Sequence, residues 1–132
     1  MPYLLDTNIL SALLRHPSGQ IAQRLGRHAA DEVCTSIIAA SELRFGAVKC
    51  GSAKLSTAVE GLLARLQTMP FESPADRFYA QVRTHLETAG TPIGANDMLI
   101  AAHTLALDCT LVTDNDREFS RIEGLRIENW LR

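Results

Sequence analysis

Acidic side chains recur in this chain where nothing local explains their charge. Asp6 directly follows a short apolar run, in Leu4-Leu5-Asp6-Thr7-Asn8. An aspartate there is a favoured helix N-cap, and taken alone it needs no other role. Glu42 lies within Ile37-Ile38-Ala39-Ala40-Ser41-Glu42-Leu43-Arg44-Phe45-Gly46. On a helix its neighbours three and four positions away are Ala39, Ile38, Phe45 and Gly46; none is a cation, and Arg44 points elsewhere. A carboxylate on such a face is costly unless a distant arginine or a metal ion binds it. Gly46, one turn along, leaves room beside it. Asp97 repeats the pattern in Gly94-Ala95-Asn96-Asp97-Met98-Leu99-Ile100-Ala101. An acid in a first helical turn is favoured by the macrodipole, but Asn96 is equally able to cap. The run Asp114-Asn115-Asp116-Arg117-Glu118 reads most simply as a solvated turn, with room for one of its members to face the same edge as Asp6.

If these carboxylates converge, they need a cation. Two like charges ~4 Å apart repel by about 4 kcal/mol at an effective dielectric near 20, which raises pKa values until something neutralises them. Oxygen ligands select hard ions such as Mg²⁺ or Mn²⁺ over zinc. Such ions grip phosphate oxygens and activate water, so the chemistry indicated is phosphodiester hydrolysis or phosphoryl transfer.

The elements that must position these acids can be read from apolar runs and breaks. Tyr3-Leu4-Leu5 predicts a buried strand feeding a helix, and Val33-Cys34-Thr35 a second strand. Helices are expected over Ile37 to Val48 and Leu55 to Leu66, and an extended piece from Pro70-Phe71. Ser73 as N-cap, Pro74 at N1 and Asp76 at N3 predict a helix running to about Thr88. A further helix spans Ala95 to Leu107, a third strand Thr110 to Thr113 and a fourth Ile127 to Trp130. Short apolar strands alternating with helices indicate an α/β fold with a parallel sheet covered on both faces. Ligands of such sheets bind at the carboxyl edge, where Asp6 sits.

With 132 residues and no linker or repeat, one domain over 1–132 is expected. A formal charge of −2 excludes bulk attraction to nucleic acid, so RNA would have to be gripped by local arginines. Eleven Arg against two Lys, Lys49 and Lys54, suits paired grips on phosphate, with Arg15, Arg44, Arg83 and Arg117 as candidates. Three cysteines, Cys34, Cys50 and Cys109, have no paired spacing and fit a reducing cytoplasm. No signal segment or apolar span points to a membrane.

Leu5-Asp6-Thr7-Asn8, Ser41-Glu42-Leu43-Arg44-Phe45-Gly46, Asp97-Met98-Leu99-Ile100-Ala101-Ala102 and Leu111-Val112-Thr113-Asp114-Asn115 together resemble the PIN-domain ribonucleases. The likeness is nearest to VapC-type toxins of bacterial toxin–antitoxin pairs. It covers essentially the whole chain, including Glu128-Asn129-Trp130. The resemblance implies a PIN-like three-layer sandwich with a short central parallel sheet of four or five strands flanked by helices. It also implies an endoribonuclease dependent on Mg²⁺ or Mn²⁺, a cytoplasmic homodimer silenced by a cognate antitoxin in a heterotetramer or larger complex. By resemblance the metal-site acids are Asp6, Glu42 and Asp97. Where the family has a fourth acid, this chain has Asn115, flanked by Asp114 and Asp116; Asn115 and Asp116 are carried as catalytic candidates. The antitoxin is expected to place an Arg or Lys among the acids and an apolar helix in a groove walled by Leu43-Ala47 and Leu55-Leu66.

Rival readings fail at specific positions. A phosphorelay receiver needs adjacent acids after its first strand and a lysine after its last core strand. A haloacid-dehalogenase-type phosphatase needs an acid where Asn8 stands. A catalytically weak PIN-fold binding or regulatory module keeps the fold and is separated by assaying metal-dependent cleavage. His16, His28, His85 and His103 form no ligand spacing and are expected to be structural or at the surface, and Phe119 and Trp130 are expected to be packing anchors.

Overall fold

The computed structural model describes residues 2–131. Strand β1 (Tyr3–Leu5) leads into helix α1 (Thr7–Arg15), followed by α2 (Gln20–Leu25), a 3₁₀ turn at Ala30–Glu32 and β2 (Val33–Ser36). Then come α3 (Ile37–Cys50), α4 (Ala53–Ala64), β3 (Gln67–Met69), α5 (Ala75–Ala89), α6 (Ala95–Ala106), β4 (Thr110–Val112), α7 (Asp116–Phe119) and β5 (Ile127–Glu128). The strands form one parallel sheet in the order β3-β2-β1-β4-β5. Successive residues of a strand face opposite sides, yet Leu4 and Leu5, all of β2 and all of β4 are buried. Helices therefore cover both faces, as the continuous apolar runs require.

The chain leaves β1 toward β2 on one side, while β4 returns to pair with β1 on the other. The carboxyl ends of β1 and β4 thus meet at the point where the strand order reverses, the place where α/β sheets open a crevice. Register fixes the neighbours there: Leu5 pairs with Val112, and the Asp6 amide donates to the Val112 carbonyl at 3.0 Å. Asp6 and Thr113 therefore leave the sheet side by side.

Several local expectations need correction. The third strand in sequence order is Gln67–Met69, not the stretch from Pro70: α4 ends at Ala64, and Pro70, lacking an N–H, cannot extend the ladder. Pro74 rather than Ser73 is the N-cap of α5; its φ of −96° and ψ of 21° are non-helical, and no side chain caps this end. Asn96 does not cap α6, because the helix already begins at Ala95 behind Gly94. β5 stops at Glu128. Helix α2, between Arg15 and Val33, had no strong periodic signal. Helices α3 and α5 both end on glycine, Gly51 at φ +65° and Gly90 at φ +70°, a left-handed backbone that strains other residues.

Leu4, Leu5, Ile9, Leu111 and Phe119 are fully buried around the sheet. Trp130, 1% exposed, closes the far edge: it stacks on His28 with 8° between planes, lies 5.3 Å from Tyr3, and has the Arg24 guanidinium 5.5 Å from its ring centroid. Leu43 and Ala47 are buried. An apolar groove of about 590 Å³ lies between α1, α2 and α4, lined by Leu14 and Leu25 and, from the expected Leu55-Leu66 wall, by Leu62 and Leu66. On α3 the exposed large apolar side chains are Ile37, Phe45 (65% exposed) and Val48 (76%).

Leu4 sits on the central strand with no solvent contact, so Leu4→Ala should cost about 2–5 kcal/mol of stability in urea unfolding. An effect below about 1 kcal/mol would contradict the central place of β1 in the core.

Candidate active site

Asp6 is both a cap and more than a cap. Its Oδ1 accepts the Asn8 and Ile9 amides at 2.9 and 3.2 Å, the N-cap geometry of α1. Its Oδ2 accepts the Thr113 hydroxyl at 2.6 Å, a bond that the β1–β4 register makes inevitable. At 3% exposure the carboxyl is pushed up to about 6; desolvation outweighs the Thr113 and backbone hydrogen bonds, and the charge of Asp114 adds to the rise.

Glu42 lies on the second turn of α3, half-buried, and its Oε1 accepts the Thr7 hydroxyl at 2.8 Å. Among the described residues no arginine pairs with it. Arg44 turns away, as its spacing required, into a two-pronged pair with Glu60 at 2.9 Å. A Cβ at Gly46 would meet open space, so that glycine is not needed to make room. Asp97 stands in the first turn of α6, half-buried, and its carboxyl is held above the ordinary range by burial, then by the charges of Glu118 and Glu42. Both charges are therefore close enough to Asp97 to act on it.

Glu118 is the acid whose charge acts on Asp97 and which sequence reasoning passed over in favour of Asn115 and Asp116. Asn115 donates from Nδ2 to Glu118 Oε2 at 3.2 Å, and its backbone N–H donates to Thr113 Oγ1 at 3.0 Å. Asn115 thereby links the Asp6 side of the crevice to Glu118. Asp116 accepts the Asn129 amide at 3.0 Å, and Asp114, exposed, accepts the Asn8 side chain at 3.4 Å. The missed signal was helical: Asp116 to Phe119 is one α-turn, so Glu118 and Asn115, three apart, share a face.

His103 is structural, as expected. Fully buried, it joins α6 to the start of α3 through Nδ1 and Ser36 Oγ at 2.8 Å, coupling the helix of Asp97 to that of Glu42. Burial lowers its pKa, partly offset by the Pro70 backbone and the charge of Glu72.

Asp6, Glu42, Asp97 and Glu118 have no ion-pair partner among the described residues. All their donors are oxygens, which suits a hard cation. Among the described residues no three His, Cys, Asp or Glu side chains form a ready cage for an ion. Mg²⁺ does not need one, since it keeps several waters and takes one or two carboxylates. The donor chemistry therefore fits.

Residues 3–125 match the family described as PIN domain. Ribonuclease VapC2 of Rickettsia felis is 37% identical over 134 residues, covering 98% of each chain. The tRNA(fMet)-specific endonuclease VapC of Salmonella typhimurium is 34% identical over 131 residues, again 98% of each. Among solved structures, VapBC2 from Rickettsia felis bound to a promoter DNA fragment contains a chain that superposes with a TM-score of 0.90 at 35% identity, covering 98% of this chain and 99% of that one.

The buried charge at Asp6 has a pH signature. Its carboxyl ionises near 6 in the folded chain against an ordinary 3.8, so the folded state binds more protons between those values. The stability it contributes is complete below about pH 3.8 and is lost as pH rises through 6, by about 3 kcal/mol in all. In metal-free buffer, Asp6→Asn should therefore gain stability relative to the parent chain between pH 4 and pH 7. A stability difference independent of pH, measured by urea unfolding, would show that Asp6 carries no such strain.

Proposed function

The chain belongs to the PIN-domain family and within it to the VapC ribonucleases, and from that premise we propose that it is a metal-dependent endoribonuclease toxin restrained by a cognate antitoxin. The observation that carries the proposal is that the charges of Glu118 and Glu42 act on Asp97, while hydrogen bonds from Thr113 to Asp6 and from Asn115 to Thr113 and Glu118 join that group to the end of β1, with no ion-pair partner for these acids among the described residues. These four would hold Mg²⁺ or Mn²⁺, with Asp6, Glu42 and Asp97 as principal ligands. Such an ion supplies an activated water and neutralises charge developing on the scissile phosphate.

The chain's own groups orient that chemistry. Thr113 and Thr7 each donate to one carboxylate oxygen and so orient Asp6 and Glu42 without neutralising them. Asn115, an amide where a fourth acid is common, holds Glu118 in its place. Arg15 and Arg117 pair with no carboxylate among the described residues, so their guanidinium groups are available to RNA phosphates; Arg44 and Arg83 are engaged with Glu60 and Glu87. RNA is the proposed substrate, and initiator tRNA is the first to test, given the name of the Salmonella typhimurium relative.

For the antitoxin, the groove between α1, α2 and α4 would take an apolar helix. An adjoining Arg or Lys would enter among Asp6, Glu42 and Asp97 and neutralise them as the metal does. The exposed Ile37, Phe45 and Val48 of α3 are proposed to meet a second copy in a homodimer.

Two experiments test these readings. Asp97→Asn and Glu118→Gln should each cut Mg²⁺-dependent RNA cleavage by ~100-fold or more, beyond the 10–100-fold that loss of an outer partner costs, with melting unchanged or raised. Cleavage that survives both, free of contaminating nuclease, removes the acids from the site; absence of cleavage in the parent chain favours the binding-module reading. Ala58 is exposed on the groove rim, so Ala58→Glu should weaken antitoxin binding ~10-fold or more without altering the free protein's melting or RNase activity. Unchanged affinity would place the antitoxin elsewhere.

A further inference from the structure

Asn129, outside the acidic site, makes a hydrogen bond to the loop after β4. It directly follows β5. Its Oδ1 accepts the Leu131 backbone N–H at 2.9 Å, closing a local turn that fixes the amide's rotation and aims Nδ2 away from its own backbone. That Nδ2 donates to Asp116 Oδ1 at 3.0 Å, across 13 residues of chain. The turn itself is anchored by buried Trp130, whose Nε1 donates to Glu128 Oε1 at 3.1 Å, and by the Thr113 amide bonding the Glu128 carbonyl at 3.0 Å.

Asp116 is the first residue of α7, a helix of only four residues that carries Glu118 and is preceded by Asn115. A helix this short cannot maintain itself, because one turn fixes many dihedrals for very few hydrogen bonds. Its direction must come from attachments. Phe119, fully buried, fixes one end; the other is held by the Asn115 amide on Thr113 and by the contacts of Asp116, the bond from Asn129 among them. A rotation of α7 about Phe119 would swing Glu118 away from Asp97 and break its bond to Asn115.

We propose that Asn129 is a positioning residue, which through Asp116 sets the orientation of α7 and so presents Glu118 and Asn115 to Asp97. The inference rests on reading these carboxylates as a metal site, but its effect on α7 does not.

Asn129→Asp and Asn129→Ala separate this role from simple turn closure. Aspartate keeps the acceptor for Leu131 but replaces the donor with a charge facing Asp116; alanine removes both. Amide hydrogen exchange on the metal-free protein reads α7, Mn²⁺ titration calorimetry reads the site, and thermal melting reads the whole fold. Both variants are expected to lose exchange protection over residues 115–120 and to weaken Mn²⁺ binding by ~10-fold or more, with aspartate no milder than alanine. A normal Asn129→Asp beside an impaired Asn129→Ala would reduce the residue to its turn and overturn the proposal. So would unchanged protection in both, or lost protection with unchanged Mn²⁺ affinity. Should the parent chain bind no Mn²⁺, the metal reading falls, and the exchange arm alone decides whether Asn129 holds α7.

Discussion

A carboxylate taken out of water must be held by something, and at Asp6 the fold holds it with hydrogen bonds from two amides and a hydroxyl rather than with a cation. That choice organises the molecule. The amides exist because β1 ends where α1 begins, and the hydroxyl is present because β4 lies beside β1 in register. Arginine in the same place would have stabilised the charge more strongly, and would have closed the crevice to any other cation. Hydrogen bonds leave Asp6 unneutralised, so burial still raises its pKa. Glu42 is treated alike, with Thr7 in place of Thr113. The two threonines orient the acids while withholding the charge that would satisfy them.

The acids that could be read from sequence were those whose helical neighbours are apolar. Glu42 and Asp97 sit among alanines and isoleucines, where a solvated surface charge has no reason to be, and the chain contains no cation at helical spacing to explain them. Glu118 escaped because it lies in a crowded polar run, where each charge looks like a turn residue. Only the fold distinguishes it, by winding that run into one helical turn. The same contrast governs the elements. β1, β2 and β4 are buried on both faces and announce themselves as apolar runs. β3, Gln67–Met69, is a short edge strand with partly solvated residues, and its identity depends on pairing with β2 rather than on its own composition. Helix α2 is likewise made by packing on α1.

The helices that bring acids to the sheet edge are tied to each other as well as to the sheet. His103 and Ser36 join α6 to the start of α3 inside the core, so Asp97 and Glu42 are referenced to a shared internal contact. The loop after β4 is referenced to the segment after β5 by Asn129 and by the Thr113 amide. A site drawn from widely separated parts of the chain is thereby kept in proportion by polar contacts that never touch its centre.

Trp130 has a practical consequence. It is the only tryptophan in the chain, and it lies buried between a stacked imidazole, a tyrosine ring and a guanidinium, two residues beyond the strand that pairs with β4. Its native emission therefore originates at one known point, in contact with groups that quench indole fluorescence. Release of this segment alone would brighten and red-shift that signal while the helices stayed intact, whereas global unfolding would move fluorescence and circular dichroism together. The molecule carries its own optical gauge of whether its last strand is seated.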